Sequence, residues 1–206
     1  MRHRKLDAPY RLAEPTNMRR DEIVQFLQAI DAELALHVAH GERLDLYLIG
    51  RSAPILRYGL DLATRDIDIV HVHGSALEGR ALEQFGKGTR NAERLGFFLE
   101  PVPQGLPPIP GGYFHRAVDL PGSWRVLRPK QPEPHDLAVT KLKRFHAKDR
   151  QDLQILCDSD DLDADRLSEA LDSAFAWAEK DGPDRERAAA NLRRVIDDLE
   201  GRTRTL

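Results

Sequence analysis

Two short apolar runs place the strongest limit on what this chain can fold into. Leu44-Asp45-Leu46-Tyr47-Leu48-Ile49 and Ile67-Asp68-Ile69-Val70-His71-Val72 each read as a strand, by alternation and by their aliphatic and β-branched content. The first stops at Gly50-Arg51-Ser52. Between the runs, Ala53 to Tyr58 fits one short helix with Gly59 as its stop. Upstream, Ile23, Phe26, Leu27, Ile30 and Leu34 recur at helical spacing. Asn17 is the expected N-cap of that helix, behind an irregular arm over 1–16. Downstream, 76–95 reads as one helix weakened by Gly86 and Gly88, and Phe97–Val102 as a strand. A proline- and glycine-rich loop over 101–112 follows, then strands over Phe114–Leu120 and Trp124–Leu127, split by Pro121-Gly122.

Pro129 to Pro134 changes the character of the chain, which is helical beyond it. Leu137 to Phe145, Leu153 to Leu156, Leu167 to Ala178 and Leu192 to Leu199 mark four helices. The expected class is α+β: a small mixed-sheet core over 17–130 flanked by helices, then a helical C-terminal region over 131–206.

Composition acts by exclusion. The 206 residues suffice to bury a core without cross-links. A single cysteine, Cys157, excludes an internal disulfide framework and a zinc ribbon, and its helical position reads as core packing. No apolar run approaches the ~18 residues needed to span a bilayer, and no apolar stretch follows the basic Met1–Lys5 segment, so a cytoplasmic protein with no membrane partner is expected. A net charge of −3 argues against a protein that coats nucleic acid.

The chemistry concentrates between Leu48 and Val70. Residues i and i+2 of a strand point the same way, so Asp66 and Asp68 project from one face while Ile67 and Ile69 occupy the other. Two carboxylates held this close repel unless a cation sits between them. Oxygen ligands of this kind suit Mg²⁺, or Mn²⁺, bound together with substrate phosphates. Gly50 permits a tight turn and close backbone approach. The backbone N–H groups after it, the Ser52 hydroxyl and the Arg51 guanidinium are all phosphate donors in kind.

Leu48-Ile49-Gly50-Arg51-Ser52 with Thr64-Arg65-Asp66-Ile67-Asp68-Ile69 resembles the nucleotidyltransferase superfamily of DNA polymerase β, in the form seen in AbiEii-like bacterial nucleotidyltransferases. A second block is similar to those families' "Pro-x-Asp-Leu-x-x-x-Lys-Leu" and "Lys/Arg-Asp-x-x-Asp-Leu" segments: Pro134-His135-Asp136-Leu137 through Lys141-Leu142, then Lys148-Asp149-Arg150-Gln151-Asp152-Leu153. The resemblance spans about residues 20 to 160. It implies metal-dependent transfer of a nucleoside monophosphate from a nucleoside triphosphate to an RNA, protein or small-molecule acceptor, in a setting linked to toxin–antitoxin or phage-defence systems. It assigns the metal to Asp66 and Asp68, the phosphate turn to Gly50 and Ser52, and the triphosphate charge to Lys141; Arg51 within that turn and Lys148, which follows Lys141 and Arg144 by helical spacing, are further expected phosphate contacts. Asp149 and Asp152 match acidic positions of the second block. Arg51 stands where the superfamily commonly has a second glycine. Asp119 is the expected third catalytic carboxylate.

Each feature also has a plainer reading. Lys141, Lys143, Arg144, Lys148 and Arg150 fit a solvated helix face, and Asp149 and Asp152 fit salt bridges or compensation of a helix N-terminus. His71 and His73 alternate on the second strand without a third ligand, and Trp124 and Trp177 read as packing residues. The C-terminal helices either cover the sheet or support a protein partner. Two alternative functions stand beside the enzyme. One is a nucleotidyltransferase fold without turnover that acts as a binding module; the other is a nucleic-acid binder whose affinity falls steeply with salt and depends on Lys143 and Arg144.

Overall fold

A computed structural model describes residues 20–38, 41–60, 62, 64–70, 75–103, 105–159, 161–176 and 182–203. The N-terminal arm, Asn17, His71, His73 and Trp177 lie outside the described residues. The elements run α1 (Arg20–Leu34), β1 (Leu44–Tyr47), α2 (Ser52–Tyr58), β2 (Asp66–Val70), α3 (Ala76–Phe85), α4 (Arg90–Leu95), β3 (Phe98–Val102), α5 (Tyr113–Arg116), β4 (Val118–Asp119), β5 (Leu127–Gln131), α6 (Pro134–Leu142), α7 (Ala147–Asp158), α8 (Ala164–Ala174) and α9 (Pro183–Thr203). The fold is α+β, with a small mixed sheet and a helical C-terminal region.

β5 is the hub of one half of the sheet, parallel to β1 and antiparallel to β4. β2 and β3 form a parallel pair. An antiparallel bridge between Leu48 and Ile69, reinforced by the Ile49 N–H donating to the Asp68 carbonyl at 2.9 Å, joins the halves in the order β4-β5-β1-β2-β3. Alternation then sorts the side chains. Leu44 and Leu46 of β1, Ile67 and Ile69 of β2 and Leu99 of β3 are buried in one hydrophobic cluster with Ile23, Phe26, Leu27 and Ile30 of α1 and Phe85 of α3. The opposite face carries Asp45, Tyr47, Asp66, Asp68 and Glu100.

Three expected elements differ, each because of a tertiary partner. The single helix over 76–95 is two, since the Gly86 backbone leaves the helix to bridge Leu99 of β3, and the Thr89 hydroxyl then caps α4 by accepting the Ala92 N–H at 3.2 Å. The strand over Phe114–Leu120 is a helical turn followed by a two-residue strand. Gly112, at φ 76°, starts that turn, and Arg116 is held by a bidentate pair to Asp136 at 2.6 and 3.0 Å.

The third difference is at Trp124–Leu127. The buried Asp31 carboxylate accepts the N–H groups of Arg125, Val126 and Leu127, so pairing into the sheet begins only at Leu127 and runs through Pro129. A proline in an inner strand lacks one ladder donor. Pro129 faces β4, where its carbonyl accepts the Leu120 N–H at 2.8 Å. The Leu120 carbonyl, which Pro129 has no proton to reach, accepts the Trp124 indole N–H at 3.0 Å instead.

The C-terminal helices build a second hydrophobic cluster. Leu137, Val139 and Leu142 of α6 meet Leu153, Leu156 and Cys157 of α7, Leu167 and Leu171 of α8, and Leu192 and Val195 of α9. Ala53 of α2 belongs to this cluster, and Tyr58 packs against it, so α2 lies between the two cores.

Candidate functional site

The site starts from strand register. Asp68 pairs with Glu100 across the parallel β2–β3 ladder, and Asp66 is two residues from Asp68 on the same strand. Register and alternation therefore place three carboxylates on one face, and an oxygen from each lies within 4.8 Å of the others. Thr64 donates its hydroxyl to Asp66 Oδ1 at 2.5 Å and fixes that side chain at the strand entrance. Burial, then the charges of Asp66 and Glu100, push the Asp68 carboxyl up to about 7, against the opposing pull of Lys141 and Arg144. Three carboxylates this close repel one another, and their all-oxygen donor set suits a hard divalent cation.

The turn after β1 is built against this cluster. Gly50 has φ 67°, and a Cβ there would collide with the Asp68 carboxylate, lying 2.7 Å from Cγ and overlapping Oδ2. Only glycine satisfies both the left-handed backbone and the close approach. Ser52 is fully buried, and its hydroxyl donates back to the Ile49 carbonyl at 3.1 Å. Arg51 turns away from the acids toward α7. Its Nη2 donates to the Lys148 carbonyl at 2.9 Å and to Gln151 Oε1 at 3.1 Å, and lies 3.0 Å from Asp152 Oδ1.

Lys141 is buried as well. Its Nζ donates to Asp152 Oδ2 at 2.8 Å and to the Gly50 carbonyl at 3.2 Å. Asp152 thus joins Arg51 and Lys141, tying α6 and α7 to the glycine turn. Asp149 is buried one helical turn away; it accepts both arms of Arg144 at 2.8 Å and the His146 N–H at 2.9 Å, which starts α7. Those bonds hold the Asp149 carboxyl below the usual range in spite of its burial. The Arg144 side chain itself remains 62% exposed, while its charge acts on Asp68. Lys148 is exposed.

The structure brings Asp66, Asp68, Gly50, Arg51, Ser52, Lys141, Asp149 and Asp152 into one neighbourhood. Asp119 stands elsewhere, on the edge strand β4, 70% exposed and paired with Lys130 at 2.5 Å. The carboxylate that completes the acidic cluster is Glu100, which the sequence reading omits. The signal for it was present: Phe97–Val102 reads as a strand, and its one acidic residue breaks an apolar run. What the sequence cannot supply is that this strand pairs with β2 in the register that sets Glu100 beside Asp68.

A family model described as nucleotidyltransferase of unknown function (DUF6036) matches residues 25–193, well over half of the chain. No curated protein and no solved structure matches it.

Proposed function

The chain belongs to this DUF6036 family of nucleotidyltransferases, and from that premise we propose that it transfers a nucleoside monophosphate from a nucleoside triphosphate to an acceptor hydroxyl with the help of a divalent cation, Mg²⁺ or Mn²⁺. The observation that carries this reading is the convergence of Asp66, Asp68 and Glu100 beside the Gly50 turn. These three carboxylates would hold the cation, which when bound supplies Lewis-acid stabilisation of charge on the phosphoryl oxygens.

The other roles fall to the chain's own groups. In the reaction, the acceptor oxygen bonds to the α-phosphorus, the bond to the β-phosphate bridging oxygen breaks, pyrophosphate leaves, and the acceptor proton passes to a carboxylate of the cluster. Asp66 is oriented for its part by Thr64. Lys141 and Arg51 position the glycine turn through Asp152, a role different from direct neutralisation of phosphate. The exposed Arg144, fixed in orientation by Asp149, is the cation proposed to face the triphosphate, with Lys148 beside it. Bidentate guanidinium donors suit phosphate oxygens. The AbiEii-like pattern of the two motif blocks supports a toxin–antitoxin or phage-defence setting.

A titration of Mg²⁺-nucleoside triphosphate by calorimetry tests the site. Wild type should bind; Asp66→Ala, Asp68→Ala and Glu100→Gln should each weaken Mg²⁺-dependent binding by at least about tenfold. Binding that is unchanged in all three variants would sink the assignment. Labelling a cell extract with each nucleoside triphosphate labelled at its α-phosphate would then test transfer. An extract that acquires no label under any condition would favour the binding-module reading.

A further inference from the structure

Four large hydrophobic residues are exposed among the described residues, and Phe114 is the aromatic one, 45% exposed. Scattered exposed apolar residues are ordinary. Phe114 differs because it is buttressed. Its ring stands edge-on to Tyr47, with centroids 4.7 Å apart and planes at 83°, and edge-on to Tyr113 at 5.4 Å and 89°. Tyr113 is fully buried and donates its hydroxyl to the Leu48 carbonyl at 2.9 Å. Arg116, at the other end of α5, is forked on the buried Asp136. A four-residue helical turn is therefore pinned at both ends and presents one aromatic ring to solvent.

Its place on the sheet gives that ring a use. Tyr47 lies on the face that carries the acids, since Leu44 and Leu46 take the core face of β1. The antiparallel bridge between Leu48 and Ile69 sets the end of β1 beside β2, so Tyr47 adjoins the strand that carries Asp66 and Asp68. Phe114 adds one ring contact to Tyr47. The aromatic ledge thus lies on the surface that carries the carboxylates, beginning on the neighbouring strand.

We propose that Phe114, backed by Tyr47 and Tyr113, is the stacking surface for the base of the nucleotide whose phosphates lie at Asp66, Asp68 and Glu100. The inference rests on the nucleotidyltransferase reading and adds a base subsite to it. Stacking on one ring discriminates poorly among bases, because every base offers a π-face. The subsite therefore supplies affinity for a heterocycle more than a choice between heterocycles.

The test uses the full chain with Mg²⁺, each of the four ribonucleoside triphosphates, and inorganic tripolyphosphate as the probe without a base. Wild type should bind the nucleotides more tightly than tripolyphosphate. Phe114→Ala should weaken nucleotide binding by about tenfold, leave tripolyphosphate unchanged, and so erase the difference. Phe114→Trp should keep it. Equal loss for both probes would overturn the subsite in favour of a structural role, and no loss for either would overturn it outright. If wild type binds neither probe, the nucleotidyltransferase reading fails first and takes the subsite with it. If it binds both and Phe114→Ala matches wild type, the subsite alone fails.

Discussion

Asp68 shares its sheet face with Asp66 and Glu100, and burial together with their charges raises its carboxyl from the usual 3.8 to about 7. The sign of the consequence follows from proton counting. Between those values the folded chain holds a proton that the unfolded chain has released. Without a cation, stability should therefore fall as pH rises from about 4 to about 7, and level off above it. A bound cation displaces that proton. Its affinity should rise about tenfold per pH unit up to about 7, then flatten. Calorimetric Mn²⁺ titrations across this range check both limbs, and Asp68→Asn should abolish the slope. A pH-independent affinity in wild type would contradict the coupling. The two aspartates were legible in the sequence because alternation on one strand is a local rule. Glu100 was not, because its membership depends on which strand lies next to β2 and in what register.

At the scale of elements, the joint between the sheet and the helices is the Asp152 group. Asp152 is 2% exposed at its side chain and faces Lys141 and Arg51, one from α6 and one from the glycine turn. Removing one partner of a buried ion pair leaves the other charge uncompensated. Asp152→Ala should lower stability in urea by about 3–5 kcal/mol. The double variant Asp152→Ala with Lys141→Met should recover part of that loss, because the stranded ammonium goes with it. Failure of the double variant to recover would show that the cost lies in packing. The motif block carrying Lys141, Asp149 and Asp152 is visible in sequence, but its use is not. A basic run on a solvated helix face and two acids in surface salt bridges fit the same residues equally well, and only the packing of α6 and α7 against the glycine turn buries Lys141, Asp149 and Asp152. β5 teaches the same lesson in the opposite direction. Pro129 suggests the end of the sheet, yet Trp124 supplies the hydrogen bond that proline lacks, and the strand continues to Gln131.

At the scale of the whole molecule, two hydrophobic clusters share α2. Ala53 is buried in the helical cluster and Tyr58 packs on it, while Ile55 and Leu56 are buried in the cluster beneath the sheet. A chain ending after Gln131 would keep every strand yet expose one side of α2, and would lose Lys141 from the Gly50 carbonyl. We expect that truncation to melt at a lower temperature and to lose cation affinity, as circular dichroism and Mn²⁺ titration would show. A stable fragment that binds Mn²⁺ like the full chain would mark the helical region as dispensable to the site. By itself the sequence determined the α+β class, the first two strands, the four C-terminal helices, the paired aspartates and the glycine turn. Each rests on periodicity or on backbone stereochemistry within a few residues. Tertiary structure alone decided that Glu100 and not Asp119 joins the aspartates, that Lys141 and Arg51 brace the turn while Arg144 stays exposed, and that Phe114 packs on Tyr47 and Tyr113 over the sheet face that carries the acids. Those outcomes depend on strand order, register and burial, which bring together residues far apart in the chain and which no local pattern records.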